Sequence, residues 1–95
     1  MQGIAIVKIY DYHGKKNVCG ARIKEARTKY HLSQSDLAAK MQIEGITIER
    51  DSISRIEIGT RFVTDYELRA FAKILHVKLE WLLDDTGEAG QVISE

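Results

Sequence analysis

The chain has no proline and a single cysteine, Cys19, among its 95 residues. One cysteine cannot build an internal disulfide framework, so the small secreted scaffolds that depend on such staples are excluded. Long hydrophobic runs are missing as well. The longest, Ile4-Ala5-Ile6-Val7, falls far short of the ~20 apolar residues that a membrane-spanning helix needs. The N-terminus lacks the basic start, extended apolar stretch and small-residue cleavage site of a signal peptide, so the expected compartment is the reducing cytosol. Net charge is absent too, with 14 Lys+Arg against 14 Asp+Glu. On its face that argues against a nucleic-acid binder, which ordinarily carries a basic surplus. What is present, 44% apolar and 29% charged residues, is the balance of one small soluble domain with or without tails.

The neutrality is uneven along the chain. Residues 1–61 carry 11 basic and 7 acidic side chains, a balance of +4, and residues 62–95 carry 3 and 7, a balance of −4. Such a split often arises by chance. Read functionally, it gives one electropositive face and one acidic end.

Residues 1–19 stand apart as an N-terminal extension. Ile4 to Asp11 is dense in β-branched residues and apolar on both faces, which reads as a strand. His13-Gly14-Lys15-Lys16-Asn17 reads as a turn. No second run of strand type follows, so the strand must pair with another copy, fold over the domain, or remain a tail. An unpaired apolar edge favours pairing across a dimer.

From Gly20 the period becomes helical, and residues 20–85 read as one all-α, five-helix domain. Gly20–Tyr30 places Ile23, Ala26 and Tyr30 on one face. Ser33 with Asp36 three residues on resembles a capping box, opening a helix from Gln34 to about Gln42 with Leu37, Ala38 and Met41 inward. Gly45 breaks the pattern. A third helix spans about Glu49 to Ile58, with Ile53 and Ile56 inward and Gly59 as its stop. Thr64 and Glu67 form a second capping box, before a stripe of Leu68, Phe71, Ala72 and Leu75. A short fifth helix runs from about Leu79 to Asp84 and presents Trp81 to the core. Residues 86–95 read as a flexible polar tail.

Two short helices joined by a tight connection, the second polar on its outer face, make a helix-turn-helix pattern. On a helical wheel at ~100° per residue, Asp51, Arg55 and Ile58 point away from Ile53 and Ile56, with Arg50 and Ser54 on the flank. Arginine can bond guanine in bidentate fashion, aspartate can accept from the cytosine amino group, and serine can pair with either kind of base. Most charged helix faces are simply solvated, so the wheel leaves both readings open.

Residues 21–85 resemble the lambda-repressor-like, xenobiotic-response-element type of helix-turn-helix domain. The resemblance rests on Leu32-Ser33-Gln34 leading into Asp36-Leu37-Ala38, then Ser52-Ile53-Ser54-Arg55-Ile56-Glu57 with Gly59, then Leu68, Ala72 and Leu75, and the closing Trp81-Leu82-Leu83. It implies that the third of five helices is the recognition helix, with Arg50, Asp51, Ser54 and Arg55 at or beside base-contacting positions. It implies phosphate contacts from Gln34 and from the loop residues Thr60 and Arg61. It also implies a structural ion pair between Arg27 and Glu57, and each of these lies at the margin of its helix's apolar face.

One departure stands out. Ile43-Glu44-Gly45-Ile46-Thr47 adds about five residues to the family's usual turn before the recognition helix. Gly45 can take a positive φ there, and Ile46 or Ile48 can plug the core. Glu49 stands where a Ser or Thr cap is usual, with Thr47 as an alternative cap. Glu49 and Asp51 would weaken non-specific attraction to phosphates more than base reading.

The remaining candidates carry less. Cys19, His13, His31 and His76 have no zinc-site spacing, and nothing in the sequence lowers the Cys19 pKa. No nucleophile elbow, phosphate loop or enzyme-like carboxylate pair is present, so neither catalysis, nor a cofactor, nor a metal is expected. The expected function is a sequence-specific DNA-binding transcriptional regulator of bacterial or phage type. It would be cytoplasmic and nucleoid-associated, binding a palindromic operator on double-stranded DNA as a homodimer. The alternative is a protein-interaction module, such as an antitoxin-like partner, that uses the same fold.

Overall fold

A computed structural model describes residues 12–84; the expected N-terminal strand over residues 4–11 and the tail over 86–95 lie outside them. Five helices follow one another: α1 (Gly20–Lys29), α2 (Gln34–Ile43), α3 (Arg50–Ile58), α4 (Asp65–Leu75) and α5 (Leu79–Leu83). Among the described residues there is no strand, only an isolated antiparallel bridge between Tyr12 and Lys15. The fold is all-α. Helix α1 packs on α3, α4 and α5, and α2 packs on α3 and α4. Ile23, Leu37, Met41, Ile53, Ile56, Phe71, Leu75 and Leu82 are fully buried between them. Each such side chain contributes ~1.5–3 kcal/mol by leaving water. Trp81 joins this core, and so does Cys19, from the segment read as an extension.

Both expected capping boxes form. The Asp36 main-chain N–H donates to Ser33 Oγ at 2.9 Å, and the Ser33 N–H donates to Asp36 Oδ2 at 2.9 Å. Thr64 and Glu67 exchange the equivalent bonds at 3.2 and 3.0 Å. Helix α3 starts differently. Glu49 is its cap residue and gives no side-chain bond, and Thr47 does not replace it. The helix begins at Arg50, in keeping with the expected start at about Glu49, and is held by packing rather than by a side-chain cap.

The first four helices stop by one device. A left-handed residue lets its own N–H and that of the next residue turn back onto carbonyls of the last turn, which would otherwise be unsatisfied. After α1 the residue is His31 (φ 59°), and Leu32 N–H reaches the Arg27 carbonyl at 3.1 Å. After α2 it is Gly45 (φ 87°), with Ile46 N–H on Met41 at 3.0 Å. After α3 it is Gly59 (φ 99°), with Thr60 N–H on Arg55 at 2.9 Å. After α4 it is His76 (φ 57°), with Val77 N–H on Ala72 at 3.1 Å. Leu32, Ile46 and Val77, each just past its stop, then pack on the core. The connection between α2 and α3 is thus a helix stop followed by a short non-helical run. Ile48 is buried from it, and Glu44 pairs with Lys73 of α4 at 3.0 Å.

The segment ahead of α1 is stitched to the far end of α3. Asn17 Oδ1 accepts the Gly20 N–H at 2.8 Å, and its amide nitrogen donates to the carbonyls of Ile56 (3.1 Å) and Arg61 (2.8 Å). Gly20 permits this approach: a Cβ there would lie 2.0 Å from the Ile56 carbonyl oxygen. A main-chain atom cannot swing aside as a side chain can. Gly20→Ala must therefore shift α1 against α3, at a cost of ~1–3 kcal/mol. Gly45→Ala meets nothing within 4 Å and carries only the penalty of its positive φ, about 1–2 kcal/mol. Urea unfolding of the two variants should place Gly20→Ala at or below Gly45→Ala in stability, and only Gly20→Ala should perturb α3 amide protection.

Candidate nucleic-acid interface

Helix α3 buries Ile53 and Ile56 and turns the opposite side outward. Arg50, Asp51 and Arg55 are exposed there, and Ser54 is half-buried beside them. The wheel arrangement is therefore realised as a surface bearing two guanidiniums, a carboxylate and a hydroxyl. Arg50 Nη2 lies 3.1 Å from Asp51 Oδ1, and both side chains are more than half exposed. An exposed pair of this kind holds its partners weakly, so either can be released to another ligand. Thr60 sits one turn beyond Arg55, with its hydroxyl 3.4 Å from the Arg55 carbonyl.

The position of this face is set by a buried carboxylate. Glu57, on the inner flank of α3, accepts from Arg27 of α1 through Nε at 2.7 Å and Nη2 at 3.0 Å. The remaining Arg27 nitrogen donates to the Leu32 carbonyl at 2.7 Å, in the connection between α1 and α2. Gln34, the first residue of α2, donates its amide to the same Glu57 carboxylate at 3.0 Å. Three helices thus converge on one side chain. The ion pair is 10% exposed on the Arg27 side and 3% on the Glu57 side, which is burial enough for a lost partner to be costly. Gln34, expected from the resemblance to touch phosphate, has its side chain turned to Glu57 in this structure.

Arg61 is likewise engaged. Its guanidinium lies on the Glu67 carboxylate through two bonds of 3.1 Å and donates to the Phe62 carbonyl at 2.9 Å. Burial pushes the Glu67 carboxyl up. The Arg61 hydrogen bonds, the Thr64 N–H and hydroxyl and the Arg61 charge outweigh that and hold it below the usual range. The Asp36 carboxyl is also lowered, first by the Ser33 N–H and then by the Ser33 hydroxyl. Cys19 goes the other way. Burial pushes its thiol up to about 11, partly offset by a main-chain hydrogen bond and reinforced by the charge of Glu67. A thiol so placed is a core side chain rather than a reactive one.

Asn17 and Gly20, which position the end of α3, were missed by sequence reasoning. An Asn three residues before a glycine at the start of a helical period is a capping signal that could have marked them. Among the described residues no cluster of three or more His, Cys, Asp or Glu could hold a metal, and no helix is long and apolar enough to cross a membrane.

Comparison with known proteins gives one finding at family level: a family model described as helix-turn-helix matches residues 23–82. That span runs from Ile23 in α1 to Leu82 in α5 and includes every residue of α2, α3 and α4. No curated protein and no solved structure matches significantly.

Removing Arg27 alone leaves Glu57 buried with only the Gln34 amide. Arg27→Met should therefore cost ~3–5 kcal/mol, and the paired replacement Arg27→Met with Glu57→Leu should recover most of the loss in urea unfolding. Glu67 also gives a pH dependence. Its folded-state pKa is lowered, so its contribution is complete above the ordinary carboxylate range of ~4 and is lost as the pH falls through the lowered value. Glu67→Gln is expected to flatten the acid limb of a stability-against-pH curve below about pH 4.5 while leaving its shape near neutrality unchanged.

Proposed function

This chain belongs to the helix-turn-helix family of the lambda-repressor-like, xenobiotic-response-element type, a family linked to DNA-binding transcriptional regulation, and on that premise we propose that it is a sequence-specific regulator that reads double-stranded DNA with α3. The observation that carries the reading is the outer face of α3. Arg50, Asp51, Ser54 and Arg55 project from a helix whose inner face is locked to α1 and α2 through Glu57. A base-reading helix needs both properties. Its polar groups must be presented to a groove about 12 Å wide, and its axis must be fixed so that the hydrogen bonds meet one base pattern and miss others.

In this reading the arginines serve as bidentate donors to guanine edges, Asp51 accepts from a cytosine amino group, and Ser54 supplies a short-range contact. Thr60, Arg61 and the start of α2 at Gln34 lie along the flanking phosphates and set register rather than sequence. Arg61 would reach phosphate only by sharing its guanidinium with Glu67, and Gln34 only by sharing its amide or through the main-chain N–H groups at the helix start. One small domain makes few base contacts. A homodimer on a palindromic operator doubles them, with recognition helices about 34 Å apart, one turn of the duplex.

The test is selection of bound DNA from a random pool, followed by binding to the selected site. The wild type should enrich a defined, two-fold symmetric sequence. Arg50→Ala with Arg55→Ala should abolish that selection while the helical circular-dichroism signal survives. Retained selection by the double variant would overturn the assignment of base reading to α3. Enrichment of nothing by the wild type would favour the protein-interaction module instead.

A further inference from the structure

The turn ahead of α1 lies outside the span that the family model matches, yet it is attached to α3. His13 (φ 52°) and Gly14 (φ 81°) are both left-handed, and Tyr12 and Lys15 exchange two main-chain bonds of 2.8 and 2.9 Å. That is a two-residue turn of the kind that fits the right-handed twist of a hairpin. It is fixed at the C-terminal end of α3. Lys16 N–H donates to the Gly59 carbonyl at 2.8 Å, Lys15 Nζ donates to the Ile58 carbonyl at 3.3 Å, and the Lys15 stem lies against Gly59. The ammonium of Lys16 stands 5.3 Å from the centre of the Phe62 ring. Asn17 closes the attachment through the Ile56 and Arg61 carbonyls.

Charge accounting around α3 singles out these lysines. Glu57 is taken by Arg27, Glu67 by Arg61, and Asp51 faces Arg50, while Glu49 is exposed at the opposite, N-terminal end of the helix. Among the described residues Arg55, Lys15 and Lys16 have no carboxylate partner, and they gather at the C-terminal half of α3. A nine-residue helix is about 13 Å long, close to the ~12 Å width of the major groove. If Arg50 to Arg55 face base edges, the helix end beyond them, at Ile58 and Gly59, therefore stands at the groove's edge, where phosphates line the wall. The end of a helix is itself negative and would repel phosphate. The Lys15 ammonium on the Ile58 carbonyl, an exposed contact, reverses that sign locally and keeps two further N–H donors.

We propose that Lys15 and Lys16, carried on this turn, form a DNA-backbone contact that the chain adds to its family domain, gripping phosphates at the edge of the groove that α3 enters. The proposal rests on the reading of α3 as the DNA-binding helix. It places the partner on the sugar-phosphate chain, so the contribution is independent of sequence and sensitive to salt.

The experiment is a salt titration of binding to the selected site for the full chain, with thermal melting of each variant alongside. Each lost phosphate contact should lower the slope of log K against log salt by about 0.9. Lys16→Gln should therefore reduce the slope by about 0.9, and Lys15→Gln with Lys16→Gln by about 1.8, with equal proportional losses on matched and mismatched DNA. Lys16→Arg should keep the wild-type slope. Lys40→Gln, on the far end of α2, should keep it too and so controls for overall charge. The Lys16 side chain makes no hydrogen bond among the described residues, so Lys16→Gln remains informative even if the double variant melts early. An unchanged slope in a folded Lys16→Gln protein, with steep salt dependence in the wild type, would overturn this proposal and leave the regulator reading standing. A wild type without salt-dependent DNA binding would overturn both.

Discussion

The buried carboxylate of Glu57 is the constraint on which the remainder depends. It accepts two bonds from Arg27 and one from Gln34, so α1, α2 and α3 meet at a single charged group. Hydrophobic contact alone is non-directional and would let short helices slide or rotate over one another. Bonds to a carboxylate have fixed directions, and in a buried site they are expensive to leave unmade. The angle between α2 and α3, which is the helix-turn-helix itself, follows from satisfying that group. Arg27 extends the same control to the turn between α1 and α2 by holding the Leu32 carbonyl.

The same pairing bears on how a chain with no net charge distributes its charges. Two carboxylates near α3, Glu57 and Glu67, are each taken by an arginine, while Glu49 stays exposed at the start of the helix. Each such pair removes one charge of either sign, so the sum is unchanged, but the charges left over are sorted along the helix, with Glu49 at its start and Arg55, Lys15 and Lys16 toward its end. The local field at each end of α3 depends on which charges remain uncompensated there rather than on the total.

Much of this fold was legible in the sequence because it is written in local signals. The capping boxes at Ser33 and Thr64, the stop at Gly59, and the inward stripe of Leu68, Phe71, Ala72 and Leu75 all depend on residues within a few positions of one another. The Arg27–Glu57 pair was legible only through the family resemblance, since thirty residues separate its members. What escaped were contacts between segments far apart in the chain. Nothing periodic announces that Asn17 will hold the carbonyls of Ile56 and Arg61, or that Gly20 is a glycine because α3 passes so close. The partners of Gln34 and Arg61 were missed for a related reason. An exposed-looking polar residue carries no mark in its own neighbourhood of the carboxylate that the fold will bring to it. The cap of α3 was left open by the sequence because Thr47 has the chemistry of a cap and Glu49 has the position.

The helix stops point to a different property of this sequence. Two of the four are glycines and two are histidines, His31 and His76, and the chain's third histidine, His13, occupies the same left-handed region. A side chain bearing a Cβ is held there against a penalty of about 1–2 kcal/mol that glycine escapes. The backbone is thus compatible with a sturdier protein than the one this sequence encodes. For so small a domain that slack is a substantial part of a typical folding free energy of ~5–15 kcal/mol. Natural sequences are rarely at their stability optimum, and here the shortfall can be assigned to addresses: three imidazoles at backbone angles that suit a hydrogen atom better.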